Sequence, residues 1–583
     1  MNKQLTFLLA LFLSFSISAQ KETKEIDQFV NELDQKIPQL LNDFLVPGTA
    51  IAIIENGEII LQKGYGYSNI DKGMKVTNTT GFNIGSISKT VAAWGVMKLV
   101  QEGKIDLDAP AEKYLTRWHV PTSEFDTDKV TIRRLLSHTA GLSLHGYPGW
   151  SPKDDLPTIE ESLDGKNNGP GRVEIIMEPG TKWKYSGGGF SMLQLIIEEV
   201  TKQKFEEYMQ SEILNPLGMT ASSYTIDKKI VKASSLEHNG FGEVIDFELF
   251  TAQAAAGLHT TINDFTKFAQ ASLYANKKEQ QHILSASYLQ QMMEPAPASN
   301  GSYGLGYQIE SIEGTSMTLA GHGGANSGWH AFFRVNPVTN DGIIMMTNGG
   351  AGHTIYRQVY CDWVYWKTGE SMGNRCNIVP SIANKLKNSI DTHGIDKIQS
   401  QYLDLKKKDA NKYNFSEDQL NQLGYHYLGN DNVDFAVTIF KINLDAFPTS
   451  SNVYDSYGEA LLKRGEKEKA IENYLKSVEL NPANEGGIKV LKDLGVDTKG
   501  LFKEVIIDET ILQRYTGNYE LAPGFVITVS RNGRQMKAQA TGQGEFEIYP
   551  RSENVFYLKV VEAQVTFNIN ENKEVVSMTL LQG

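Results

Sequence analysis

The sequence predicts an α+β protein with two further modules: an antiparallel sheet with a helical region, then an α-helical repeat segment, then a small antiparallel β-barrel. Three observations predict it. Strand patterns stand at both ends of the first 377 residues, with helical patterns between them. Landmark residues recur at a 34-residue spacing between about residues 380 and 500. From about residue 504 the chain alternates in short strands separated by turn residues. A length of 583 residues suits about two to four domains. The mix of 40% hydrophobic and 21% charged residues is that of a globular protein and excludes a disordered or collagen-like chain. Lys plus Arg number 56 against 69 Asp plus Glu, a net charge of −13, which sets nucleic acid and anionic lipid aside as partners.

The N-terminus reads as a secretory signal peptide over residues 1–19. Lys3 supplies the positive start, Phe7 to Ile17 is an apolar run broken only by Ser14 and Ser16, and Ser18-Ala19-Gln20 offers cleavage after Ala19. The apolar run is shorter than the ~20 residues of a spanning helix. No Cys lies near the cleavage site, which excludes a lipid anchor there, and no later segment is long and apolar enough to cross a membrane. The expectation is an exported protein, periplasmic or secreted. Cys361 and Cys376 form no CxxC pair and cannot build a zinc cage alone. Two alternatives stay open: one disulfide, which an exported chain would allow, or two buried free thiols.

The first domain is expected over residues 20–377. Thr49 to Leu61 holds two apolar runs around Asn56-Gly57, a hairpin signal. Ser88 to Gln101 carries apolar residues at helical spacing, with Gly103 as the stop, and Phe190 to Thr201 reads as a second helix. Ala331 to Val335 and Gly342 to Thr347 read as buried strands. The helical segment follows over 378–503. Within it, Gly424 matches Gly458, Ala436 matches Ala470, Phe440 matches Tyr474 and Pro448 matches Pro482, each pair 34 residues apart. That is the tetratricopeptide period, giving two repeats over 417–484. Two repeats fall below the usual minimum of about three, so they lean on a neighbour, and a packing or spacer role outweighs a peptide-binding one. The last module, 504–583, has strand patterns at Val526 to Val529 and Met536 to Gln539 around Asn532-Gly533, then at Val555 to Lys559, Ala563 to Ile569 and Val575 to Leu580.

Three segments could carry chemistry. In Ile84-Gly85-Ser86-Ile87-Ser88-Lys89, Ser86 begins a predicted helix and Lys89 follows one turn later on the same face. A serine hydroxyl needs a base, and a lysine whose pKa is lowered by burial can serve. The helix N-terminus presents free N–H groups to a developing oxyanion. Ser18-x-x-Lys21 shows the same spacing at the signal cleavage site, so the pattern alone is weak. The second segment, Trp183 to Gly189, sets Tyr185 beside three glycines. The third, Gly321 to Gly328, is a glycine-rich loop before a strand, with His322 able to donate a hydrogen bond or carry charge.

Together and in this order, with Tyr185 about 100 residues after Ser86 and His322 about 140 further on, the three segments resemble the serine β-lactamase superfamily, in its class C, D-aminopeptidase and β-lactamase-like esterase branch. Leu135 to Leu142 (LLSHTAGL), Ala255 to Asp264 (AAGLHTTIND) and Tyr303 to Gly306 (YGLG) follow in family order, so the resemblance spans about 350 residues. It implies a β-lactamase/penicillin-binding-protein fold with Ser86 as the acylated nucleophile and Lys89 as its base. Tyr185 would shuttle the proton to the leaving group and help activate the deacylating water. His322 stands where class C enzymes carry Lys in K-T-G; it would complete the proton network or hold a substrate carboxylate. The N–H groups of Ser86 and Ala325 would form the oxyanion hole, with Gly187 and Gly324 as further substrate-binding positions. His138 matches a structural motif. The segments from Tyr515 to Gly524 and Gln543 to Pro550 resemble the lipocalin-like barrel attached to such hydrolases, which in some relatives supports oligomers or walls the cleft.

Two departures shape the expected activity. Gly187 takes the place of Asn in Y-x-N, and His322 that of the K-T-G lysine. Both turn the expectation from antibiotic turnover toward a serine hydrolase acting on small esters, amides or D-amino-acid peptides. A β-lactamase, a D-alanyl-D-alanine carboxypeptidase, an acyltransferase or an idle scaffold are the rival readings. No G-x-S-x-G surrounds Ser86, and neither H-E-x-x-H nor H-x-H-x-D occurs, so no metal or other cofactor is implied. The expected partner is a small-molecule or peptide substrate, with the repeats and barrel as candidate surfaces for a homo-oligomer or protein partner. Specificity would lie in loops such as His145 to Gly171.

Overall fold

In the computed structural model the described residues are 25–166, 171–273, 283–482, 484–498, 505–522, 525–558, 560–561, 563–570 and 572–582. The signal peptide expected at 1–19, with the second Ser-x-x-Lys pattern, lies outside them. The chain divides into two compact units, Met1–Pro380 and Ser381–Gly583.

The first unit is built on a seven-stranded antiparallel sheet. A helix over 25–43 (α1) leads into β1 (Gly48–Glu55) and β2 (Glu58–Asn69). Asn56 and Gly57 both take positive φ, 52° and 86°, so the Asn-Gly turn twists the hairpin as expected. β3 (Met74–Lys75) edges the sheet. β6 (Gln308–Ser311), β7 (Thr318–Ala325), β8 (His330–Asn336) and β9 (Asp341–Thr347) complete it, in the order β3-β2-β1-β9-β8-β7-β6. β4 (Gly81–Asn83) and β5 (His259–Thr261) form a separate two-stranded ribbon. β1 is buried on both faces, which is why its sequence is an unbroken apolar run rather than an alternation. On one face Ile51 and Ile53 pack with Phe29 and Leu33 of α1 and with Val359 and Trp363 of a C-terminal helix, Gly352–Thr368. On the other, Ala50, Ala52 and Ile54 pack against the helical region.

The centre of that region is α2 (Ile87–Gln101), buried at twelve of its fifteen positions. A helix apolar on nearly every side belongs inside a domain. Trp94 donates to the Tyr307 hydroxyl at 2.9 Å and Thr90 to the Gly306 carbonyl at 2.8 Å, which ties α2 to the segment before β6. α3 (Ile132–Leu136) and α4 (Gly187–Thr201) pack against one another, and the one-turn helix α5 (Gln253–Ala256) lies against α2 and α4. Cys361 and Cys376 are joined in a disulfide, which resolves the two alternatives open in the sequence. No helix among the described residues is long and apolar enough to cross a membrane.

One expectation is corrected. The segment Gly321 to Gly328, read as a loop, is strand as far as Ala325. Its glycines do not break the strand; they let the neighbouring chain approach. A Cβ on Gly321 would stand 2.0 Å from the Phe333 carbonyl oxygen, the next residue along from its cross-strand partner Arg334.

The second unit joins helices to a sheet. The helices Glu417–Gly429 and Val433–Ala446 pair, as do Ser451–Arg464 and Lys467–Leu480. The 34-residue landmarks meet in space: Gly424 faces Phe440 and Gly458 faces Tyr474, with Ala436 and Ala470 fully buried. Seven antiparallel strands from Gly517 to Gln582 follow in sequence order and curl into a nearly closed barrel. Its core holds Met536, Ile548, Phe556 and Phe567, the last stacked 4.5 Å from the Tyr515 ring.

Candidate active site

The Ser86 turn is made by three adjoining elements. β4 ends at Asn83, Gly85 takes φ +50°, and Ser86 caps α2. Asn83 holds the turn together. Its Oδ1 accepts the Gly85 N–H at 2.7 Å and the Asn326 side-chain N–H at 2.7 Å, while its Nδ2 donates to the Ala256 carbonyl at 3.1 Å. The Ser86 side chain makes no cap hydrogen bond, so its hydroxyl is left for other partners.

Those partners are Lys89 and Tyr185. Lys89 Nζ lies 3.2 Å from Ser86 Oγ and donates to the Ala255 carbonyl of α5 at 2.7 Å. Lys89 is 2% exposed, and burial alone brings its ammonium down to about 7. A lysine that loses its proton near neutrality can take one from a serine. The Tyr185 hydroxyl also bonds Ser86, and Lys89 Nζ is 5.0 Å from the Tyr185 ring centre. Burial pushes the Tyr185 phenol up, so it stays protonated at rest.

Tyr185 owes its position to His138, which takes φ +58° in the LLSHTAGL segment. His138 Nδ1 accepts the Ser186 N–H at 3.1 Å, and its ring lies 4.2 Å from that of Tyr185. Ser186 then caps α4, accepting the Gly189 N–H at 3.1 Å and donating to the Ser143 carbonyl at 2.7 Å. That cap starts α4 at Gly187, three residues before the helix signal in the sequence.

Ala325, the second position expected at the oxyanion site, stands on β7. The Asn326 N–H donates to the Trp329 carbonyl at 2.9 Å, and Ala325 pairs with His330. Antiparallel alternation therefore turns the Ala325 N–H away from β8. It meets the Ser86 turn: the Ala325 nitrogen would lie 2.7 Å from a Cβ on Gly85. Gly324 is pressed equally close, its Cβ position 1.9 Å from the Ile84 carbonyl oxygen and 3.2 Å from the Ser86 nitrogen. Gly324 thus admits the close approach of β7 to the backbone of Ile84 and Ser86.

Two expected contacts take a different form. His322 is 1% exposed, and both its nitrogens are engaged, Nδ1 with the Gly323 carbonyl at 2.5 Å and Nε2 with the Tyr303 hydroxyl at 3.0 Å. A carbonyl only accepts, so the proton is on Nδ1 and Tyr303 donates to Nε2. Burial, helped by the charge of Lys89, brings His322 down to about 3. It is a neutral, buried member of a hydrogen-bond network and offers no positive charge for a substrate carboxylate. Gly187 is buried as well, and its N–H donates to the His145 carbonyl at 2.9 Å. It lies under the backbone of residues 145–146.

Sequence reasoning missed Asn83, Tyr303 and His145 as site residues. Asn83 stands three residues before Ser86, and Tyr303 was legible only as the first letter of YGLG. The exposed His145 ring lies 4.8 Å from the Tyr185 ring, at the start of the loop where specificity was expected. Among the described residues no group of three or more His, Cys, Asp or Glu converges in a way that could hold a metal ion.

The Beta-lactamase family profile matches residues 33–358, more than half of the chain. The chain belongs to the β-lactamase family. Residues 502–582 match a second family, a domain of unknown function (DUF3471). Protein flp of Staphylococcus aureus (strain N315) is 29% identical over 346 residues, covering 55% of this chain and 64% of flp. The chain thus spans less than two thirds of that relative's length. The putative penicillin-binding protein PbpX of Bacillus subtilis (strain 168) is 28% identical over 302 residues, 50% of this chain and 69% of PbpX. The structure of the octameric penicillin-binding protein homologue from Pyrococcus abyssi superposes with a TM-score of 0.50 at 19% identity, covering 95% of this chain and all of that one, a likeness of fold.

Proposed function

We propose that this β-lactamase-family protein is an exported serine hydrolase that works through a Ser86 acyl-enzyme on small esters, amides or D-amino-acid peptides. The observation that carries the reading is the buried Lys89 nitrogen 3.2 Å from Ser86 Oγ, with its pKa brought to about 7. Neutral Lys89 takes the Ser86 proton as Oγ attacks the acyl carbon. The N–H groups of Ser86 and Ala325 receive the oxyanion. Tyr185, bonded to Ser86, passes a proton to the leaving group, and the ester formed at Ser86 is then opened by water activated by the same lysine and tyrosine.

The neutral His322 and the missing amide at residue 187 support ester or amide substrates over penicillins and over peptides recognised through a terminal carboxylate. Acyl transfer from the same intermediate would follow if an alcohol or amine displaced water. Export is supported by the Cys361–Cys376 disulfide, a bond of oxidising compartments. We read the two helical hairpins as tetratricopeptide-like packing units and the C-terminal sheet as lipocalin-like, with oligomerisation or protein binding as the roles open to them.

Intact mass after incubation with a fluorophosphonate, and separately with a penicillin, tests the reading beside Ser86→Ala. A fluorophosphonate adduct that disappears in the variant is expected, with little or no penicillin adduct. No adduct from either probe would favour a scaffold.

A further inference from the structure

The turn that follows Ala325 is gripped by two carboxyl groups. Ser327 donates its hydroxyl to Glu248 Oε1 at 2.6 Å and its backbone N–H to Oε2 at 3.3 Å. The next residue, Gly328, donates its N–H to Glu237 Oε1 at 3.0 Å. A Cβ on Gly328 would meet Glu237 Cγ at 2.4 Å, so the glutamate lies directly against the turn backbone. With Asn326 tied to Asn83, three consecutive residues are anchored just past the oxyanion N–H.

Glu237 is 1% exposed, and its Oε2 is buried with no partner among the described residues. Burial, reinforced by the charge of Glu248, pushes Glu237 up to about 7. The Trp329 indole and the Glu248 backbone also lie against this carboxyl. The nearby titratable groups are His238, whose Nδ1 bonds the Asn348 carbonyl at 2.9 Å, and His259, beyond Trp329 and brought down to about 3 by burial. Neither supplies a cation at neutral pH.

We propose that Glu237 and Glu248 are positioning residues for the reaction at Ser86: their carboxyl groups hold the β7–β8 turn, and with it the Ala325 N–H, in place. This rests on the Ser86 reading above. The geometry supplies the cause. Glu237 fixes the Gly328 N–H while Glu248 fixes the Ser327 hydroxyl and N–H, so removing either carboxyl frees one of two adjacent turn residues.

The test is the pH dependence of Ser86 phosphonylation by a fluorophosphonate in the full chain. In the wild type the rate should rise as Lys89 loses its proton. Glu237→Gln keeps an acceptor for Gly328, so it should hold the wild-type rate within about twofold. Glu248→Gln keeps an acceptor for Ser327 and should do the same. Glu237→Ala should be slowed at least about tenfold at every pH, on the scale of a misplaced oxyanion donor. Labelling at the wild-type rate in folded Glu237→Ala overturns this inference alone. Absence of wild-type labelling at every pH overturns the Ser86 reading and this inference with it.

Discussion

The His145 carbonyl oxygen accepts the Gly187 N–H at 2.9 Å and stands 2.9 Å from where a Cβ on Gly187 would be. Residue 187 thus has no space for a side chain, although the aligned Y-x-N position would hold an asparagine. Gly187→Asn should therefore fail to create a penicillin-acylated enzyme. The added side chain must displace residues 145–146 or leave the start of α4, an overpacking cost of about 1–3 kcal/mol. Thermal melting should show the loss, and intact mass after penicillin should show no new adduct. Stable acylation by penicillin in this variant would mean that the loop moves aside at little cost.

Lys89 makes a prediction about pH. Its folded-state value of about 7 lies below the ordinary 10.5 because the charged form is desolvated. Between those values the unfolded chain holds the extra proton, so the lysine's contribution makes stability rise with pH across that window. Lys89→Met removes the group. The wild-type stability minus that of Lys89→Met should climb from about pH 7 upward, read by denaturant melts at several pH values. The wild-type phosphonylation rate should rise through about pH 7, while Lys89→Met should be slowed by at least about a hundredfold. A flat difference in stability would show that Lys89 is not desolvated as the structure has it.

The Tyr303–His322 pair offers a separate test. Tyr303→Phe removes the donor to Nε2 and leaves a buried acceptor unpaired, a cost of about 1–3 kcal/mol. His322→Lys, which restores the K-T-G lysine in name, puts an ammonium into a position only 1% exposed and already influenced by the charge of Lys89. It should destabilise the fold and push Lys89 lower without conferring penicillin turnover. Melting temperature and a phosphonylation pH profile shifted to lower pH would check both effects; a stable variant that hydrolyses penicillin would refute the packing argument.

The sequence made the site legible to different depths. Ser86 and Lys89 could be paired because one helical turn brings i and i+3 together, and the Asn56-Gly57 hairpin because only a few residue types accept positive φ. Gly321 to Ala325 misled, since glycine weakens a strand locally and the chain must know its neighbour, Phe333, before the need for a missing side chain is visible. Tyr303 and His322 are 19 residues apart in sequence, and Glu237 meets Gly328 across 91. No periodicity links such pairs. His322 could be found but not its charge state, which is set by burial under strands that the sequence does not order. The 34-residue landmarks were readable because each repeat closes its own contact, glycine of one helix against an aromatic ring of the next.

That contact separates the two repeats energetically. A Cβ on Gly424 would stand 2.4 Å from Phe440 Cε1, whereas on Gly458 the nearest Tyr474 atoms are at 3.2 Å. Alanine in a helix gains about 0.5–1 kcal/mol over glycine from lower backbone entropy in the unfolded chain. At Gly458 the tyrosine needs to shift only a few tenths of an ångström, so Gly458→Ala should lie near neutral. At Gly424 the Phe440 ring is itself fully buried and has to be pushed back into its neighbours, which should outweigh the helix gain by about 1–2 kcal/mol. Denaturant melts of the two variants, followed by helical circular dichroism, should therefore rank Gly424→Ala below Gly458→Ala. A combined Gly424→Ala, Phe440→Leu variant should recover part of the loss, because leucine lacks the ring atoms that the new methyl meets. Equal effects at the two glycines would show that the first hairpin packs no more tightly than the second.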